Sequence, residues 1–112
     1  MQINGVNLNF NLYDADNAGI GERYFEELRK MRDVKNGMPD GPEQERRKYL
    51  CNKVKGFFDG IFGEGTGKAV CGAGNDLLKH LEAYDQLVSE QLHQQEAYER
   101  IIGHMRTMWK KK

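Results

Sequence analysis

The segment LLKHLEAYDQLVSEQLHQQEAYERIIGHMRTMW, residues 77 to 109, constrains this chain more than any other. Leu77, Leu78, Leu81, Tyr84, Leu87, Val88 and Leu92 recur at helical spacing. After a polar gap from His93 to Glu96, the pattern resumes in nearly the same phase with Tyr98, Ile101, Ile102, Met105, Met108 and Trp109. A single helix of about 34 residues would span roughly 50 Å at 1.5 Å per residue. A break near residues 93 to 96 is the competing reading.

Composition sharpens this. Ile, Leu, Val and Phe number only 24 of the 112 residues, close to the level below which disorder sets in, although disorder also favours high net charge. Here 17 basic and 17 acidic residues cancel. A thin core is therefore expected, one that gains from burial against copies of itself or a partner. The first half of the long element already uses the core so short a chain can supply. Residues 98 to 109 are expected to project and bind, with Tyr98, Ile102, Met105, Met108 and Trp109 as candidate interaction residues. The competing reading folds Trp109 and its neighbours back onto the core.

Upstream, INGVNLNFNL alternates, with Asn4-Gly5 between Ile3 and Val6. Asn-Gly flanked by apolar residues predicts a hairpin, because both turn residues must take positive φ. A two-stranded ribbon does not stand alone and must lie on helices or join another sheet. Asp14 and Asp16 suit a helix cap. The helix that follows is expected to firm up near Gly21, with Ala18, Phe25, Leu28 and Met31 on its apolar face and Tyr24 beside them. Asn36-Gly37 closes it. A second helix begins with Pro42 in its first position and presents Leu50, Val54, Phe57, Phe58, Ile61 and Phe62. The expected fold is mainly α: a short N-terminal β-hairpin and three major helices in an antiparallel bundle. One domain, 1–112, divides into a hairpin (1–13), a helical core (14–92) and a C-terminal helical extension (93–112).

GEGTGKAVCGAG, residues 63 to 74, looks like a phosphate loop but fails the spacing test. A Walker loop aligned on Gly67-Lys68 needs glycine where Phe62 stands and a hydroxyl where Ala69 stands. The dinucleotide pattern fails at Lys68 or Val70, and a helix rather than a strand precedes it. The glycines read instead as a hinge: Gly63 ends one helix, Thr66 caps a short turn through Cys71, and Gly72 and Gly74 reverse the chain before Asn75 or Asp76 opens the next helix. Gly63, Gly65, Thr66, Gly72 and Gly74 are the hinge residues.

Catalytic machinery is not expected. Ser89 is the only serine, Cys51 and Cys71 have no histidine nearby in sequence, and His80, His93 and His104 are scattered. No catalytic residue, metal or cofactor is assigned. Zero net charge argues against sequence-independent nucleic-acid binding. No run is long and apolar enough to span a membrane, and MQINGVNLNFN lacks the features of a signal peptide. A cytosolic protein is expected. Charge is uneven, however: residues 76–99 hold six acids against Lys79, whereas IIGHMRTMWKKK holds four bases and no acid. That reversal suits self-association or an acidic partner as well as a solvated tail.

FFDGIFGEGTGKAVCGAGNDLLKHLEAYDQLV and INGVNLNFNLYDAD resemble segments of small proteins from tailed phages of Gram-positive bacteria. These are grouped with the tail assembly chaperones or with phage proteins of unknown function. The Phe-Gly-Glu-Gly-Thr turn is the most specific part of the likeness. The resemblance implies a non-enzymatic morphogenesis protein in the host bacterial cytoplasm, binding the tape measure protein, another phage protein or itself as a homo-oligomer. It implies no catalytic residues. A phage-encoded inhibitor of a host defence or host enzyme, contacting a host protein, fits the same small, neutral, helical chain. So does a structural component of the virion.

Overall fold

A computed structural model describes residues 1–110; Lys111 and Lys112, the end of the expected 93–112 extension, lie outside the described residues. The fold is mainly α. Strands β1 (Gln2–Ile3) and β2 (Val6–Asn7) form a two-stranded antiparallel sheet, followed by α1 (Gly19–Arg32), α2 (Glu43–Phe62), α3 (Thr66–Cys71) and α4 (Leu77–Lys110). Helix α2 is central: α1, α3 and α4 all pack on it.

The hairpin turns where the Asn-Gly pair predicts. Asn4 and Gly5 take φ of 50° and 81°, and Ile3 pairs with Val6. It lies on the helices: Ile3, Leu8 and Phe10 are buried in the same cluster as Tyr24, Phe57 and Phe58. The Asn4 side chain also donates to the Val70 carbonyl at 2.6 Å, which ties the turn to α3.

Asp14 caps a short 3-10 turn, Ala15–Asn17, by accepting from the Asp16 N–H at 2.9 Å. Helix α1 then begins at Gly19, two residues before the expected Gly21, and ends at Arg32; a second 3-10 turn carries the chain through Asn36-Gly37. Its buried line is Ile20 and Tyr24, with Leu28 and Met31 packed at the edge. Phe25 was expected on that face and is instead 51% exposed. It lies one residue, about 100° of helix, past Tyr24, and the two rings meet edge to face (centroids 5.0 Å apart).

Pro42 sits just before α2 as its cap residue, not as its first helical residue. Cys51, Val54, Phe57, Phe58 and Ile61 are the buried face of α2, a row at intervals of three, three, one and three; the helix packs on both α1 and α4. Arg23 on α1 donates to the Ile61 carbonyl at 2.8 Å, satisfying one of the free carbonyls at the end of α2. Gly63, at φ 115°, stops the helix in a conformation that a side chain would oppose.

Helix α4 is one unbroken helix of 34 residues, the longer of the two readings of its sequence. Its buried face is His80, Ala83, Leu87 and Gln91, which corrects the expected leucine stripe: Leu78 is 66% exposed, and Leu81 and Leu92 are exposed too. Crowding explains the rotation. Small Ala83 admits the aromatic rows of α2, and Tyr84 meets Phe57 at 4.9 Å between ring centroids. His80 is buried with its Nδ1 on the Asp76 carbonyl at 2.6 Å, while its Nε2 has no hydrogen-bond partner among the described residues.

Candidate functional site: the exposed face of helix α4

The last buried residue of α4 is Gln91, yet the helix continues to Lys110 in a molecule 65 Å long and 28 × 21 Å across. Beyond Gln91, the sequence reading expected Tyr98, Ile102, Met105, Met108 and Trp109 to form a face. They lie at intervals of four, three, three and one, on one side of the helix. Tyr98, Met105, Met108 and Trp109 are exposed, Trp109 by 57% and Met108 by 68%, while Ile102 is half-buried. Ile101 is exposed between them. Trp109 does not fold back onto the core.

The polar gap is where this face is anchored. Gln94 Nε2 donates to the Phe10 carbonyl at 2.6 Å, and the Leu12 N–H donates to Gln94 Oε1 at 2.9 Å. One side-chain amide thus satisfies two backbone groups of the extended segment, as a neighbouring strand would. That contact delivers Tyr13 to the face, where its ring stacks on Tyr98 at 4.5 Å and 14°. A chain of amides leads out from the core: the Tyr24 hydroxyl donates to Gln91 (3.3 Å), Gln91 to Gln95 (2.8 Å), and Gln95 to the Glu99 carboxylate (3.1 Å). Gln91, Gln95 and Glu99 are spaced four apart, so each reaches the next along the helix.

Sequence reasoning missed Tyr13, Gln94 and Ile101 as parts of this site. Ile101 lay in the apolar stripe and could have been included. Tyr13 and Gln94 had no local signal, because their partners are more than eighty residues away.

The glycine stretch is folded into α3 and its two flanking turns. Gly63, Gly65 and Gly72 have positive φ; Gly74 does not. Thr66 is the first residue of α3 rather than its cap, and Gly65 precedes it. The free N–H of the first turn is satisfied from another helix: Gly67 donates to the Asp59 carboxylate at 2.7 Å. The closest approach is also at Gly67, where an added Cβ would collide with the backbone of Lys55. A bound phosphate here would meet the Asp59 charge in place of a free amide. Lys55 reaches across to the Gly74 carbonyl at 2.7 Å and holds the second turn.

Burial pushes the Cys71 thiol up to about 11, and raises that of Cys51 as well. Both stay protonated and unreactive near neutral pH. Burial, with Tyr84 beside it, pushes the Tyr24 phenol to about 12. Among the described residues, no three His, Cys, Asp or Glu side chains come together as metal ligands, and no helix is long and apolar enough to cross a membrane.

A family model described as "Family of unknown function (DUF6673)" matches residues 4–110. No curated protein and no solved structure matches the chain.

Proposed function

We propose that this chain, which belongs to the DUF6673 family, is a non-enzymatic assembly protein that binds helical segments of other proteins on the exposed face of α4. The observation that carries the reading is the continuation of α4 past Gln91 with Tyr98, Ile101, Met105, Met108 and Trp109 exposed along one side. A partner helix laid against such a rail buries its own apolar stripe, and methionines adapt to varied surfaces. The rail is already helical, so little ordering cost remains for binding.

The likeness of FFDGIFGEGTG and INGVNLNFNLYDAD to small tailed-phage proteins supports tail morphogenesis as the setting. In that setting the chain acts as a tail assembly chaperone in the host cytoplasm. The partner is the tape measure protein, a long helical chain whose apolar stripes need cover until tube subunits surround it. Several copies on one long target would gain from avidity.

Co-expression with tape measure segments tests this. The expected result is co-purification, with replacement of both Met105 and Trp109 by Ala lowering affinity at least about tenfold. The variant should keep its helix content by circular dichroism. No binding of any tape measure segment at about 100 μM, weaker than the roughly micromolar range of useful complexes, would sink the reading.

A further inference from the structure

We infer that in the free protein this face is covered by the same face of a second copy, running antiparallel about a two-fold axis near residue 103. The inference rests on the reading that the face is a docking surface, and it names the occupant.

The first support is register. Tyr98, Ile101, Met105 and Met108 follow intervals of three, four and three, the seam pattern of paired helices. Counted back toward the N-terminus, the same positions are Gln94, Gln91, Leu87 and Tyr84, all buried or half-buried against this chain's own core. The seam used inside the protein therefore runs on, without a change of register, past the point where its internal partners stop.

The second support is charge, which selects both the partner and its direction. From residue 80 to 99, α4 carries Glu82, Asp85, Glu90, Glu96 and Glu99 and no Lys or Arg; from 100 to 110 it carries Arg100, Arg106 and Lys110 and no acid. About an axis near residue 103, an antiparallel second copy lays Glu96 and Glu99 along the stretch that holds Arg106 and Lys110, whereas a parallel copy sets like against like. The match extends to single residues. Packing Tyr98 against Met108 of the second copy, and Ile101 against its Met105, fixes the axis near residue 103. Glu99 and Arg106 are seven residues apart and share one side of the seam. In this register each Glu99 lies across from Arg106 of the second copy. Among the described residues neither makes a salt bridge within the chain.

The third support is area. The six large apolar residues from Tyr98 to Trp109 expose on the order of 600 Å² per copy, so two faces approach the roughly 1,200 Å² at the low end for specific interfaces. An area at this low end suits a weak, reversible dimer that opens to a better partner.

Sedimentation equilibrium on the full chain tests the inference with four proteins. The natural chain should dimerise. Glu99→Arg and Arg106→Glu should each weaken dimerisation at least fivefold, and the exchange variant carrying both should recover to within about twofold, as reciprocal pairing requires. Spin labels on Ser89→Cys report direction. Antiparallel pairing about residue 103 sets them roughly 40 Å apart along the axis, whereas parallel helices bring them to near the interhelical distance of about 10 Å plus the label arms. A natural chain that stays monomeric at several hundred micromolar overturns the inference. So does an exchange variant as weak as the single reversals, or a short Ser89 distance. Monomers that still bind tape measure segments refute the self-pairing alone, and dimers that bind none refute the proposed function alone.

Discussion

Gln94 holds Phe10 as a strand would hold its neighbour: its amide donates to the Phe10 carbonyl and accepts the Leu12 N–H two residues on. These two bonds tie the N-terminal segment to the long helix beside the Tyr13–Tyr98 stack. Gln94→Ala leaves a carbonyl and an amide without partners, which costs about 1–3 kcal/mol. Hydrogen exchange should show the Leu12 amide losing protection in that variant while the amides of α2 keep theirs, and tyrosine fluorescence should report loss of the Tyr13–Tyr98 stack.

Gly67 lies against the Lys55 backbone with no room for a Cβ. Gly67→Ala forces α3 away from α2 and should destabilise by about 1–3 kcal/mol in urea unfolding. Asp59→Ala removes the carboxylate that accepts the Gly67 N–H, a capping loss of about 1 kcal/mol. The two changes act on one contact, so the double variant should lose less than the sum of the singles.

Stability should fall in alkali. The Cys71 thiol ordinarily ionises near 9.0 and here near 11, and the Tyr24 phenol ordinarily near 10.0 and here near 12. Both folded values are raised, so the protonated groups contribute stability fully below about pH 9, and that contribution is lost as pH rises through 11 and 12. Melting temperatures should be flat from pH 7 to 9 with respect to these groups and drop above. A thiol reagent at pH 8 should modify Cys51 and Cys71 only after denaturant is added.

Core and projecting face should respond differently to truncation. Phe58→Ala empties a fully buried site and should cost about 3–5 kcal/mol. Trp109→Ala, at an exposed position beyond the core, should change stability by no more than about 0.5 kcal/mol. Equal losses in chemical denaturation would show that the C-terminal half of α4 is part of the core.

Gly103 sits inside the projecting half of α4 with open space where a Cβ would lie. Gly103→Ala should stiffen this stretch by about 0.5–1 kcal/mol, because glycine loses more backbone entropy in a helix. Slower amide exchange from about residue 100 to 108 is the measurement.

Spacing along the chain was enough to give the elements and most of their ends. Asn4-Gly5 marks the hairpin and Gly63 the end of α2, whereas the phase shared by Leu77–Leu92 and Tyr98–Trp109 fits a single long helix but left a break near residues 93 to 96 open. Those are local properties, set by φ preferences and by the period of the helix. Which face turns inward was not local. Helix α4 carries apolar residues over much of its circumference, so either Leu78 and Leu81 or His80 and Ala83 could have met α2. Tertiary packing chose the second pair, since the aromatic rows of α2 needed a small neighbour and His80 could bond the Asp76 carbonyl. Phe25 gave way to Ile20 and Tyr24 for the same kind of reason. Gln94, Gly67 and Asp59 read as a polar gap, one glycine among many and one acid among many, because each acts on a backbone that only the folded chain brings within reach.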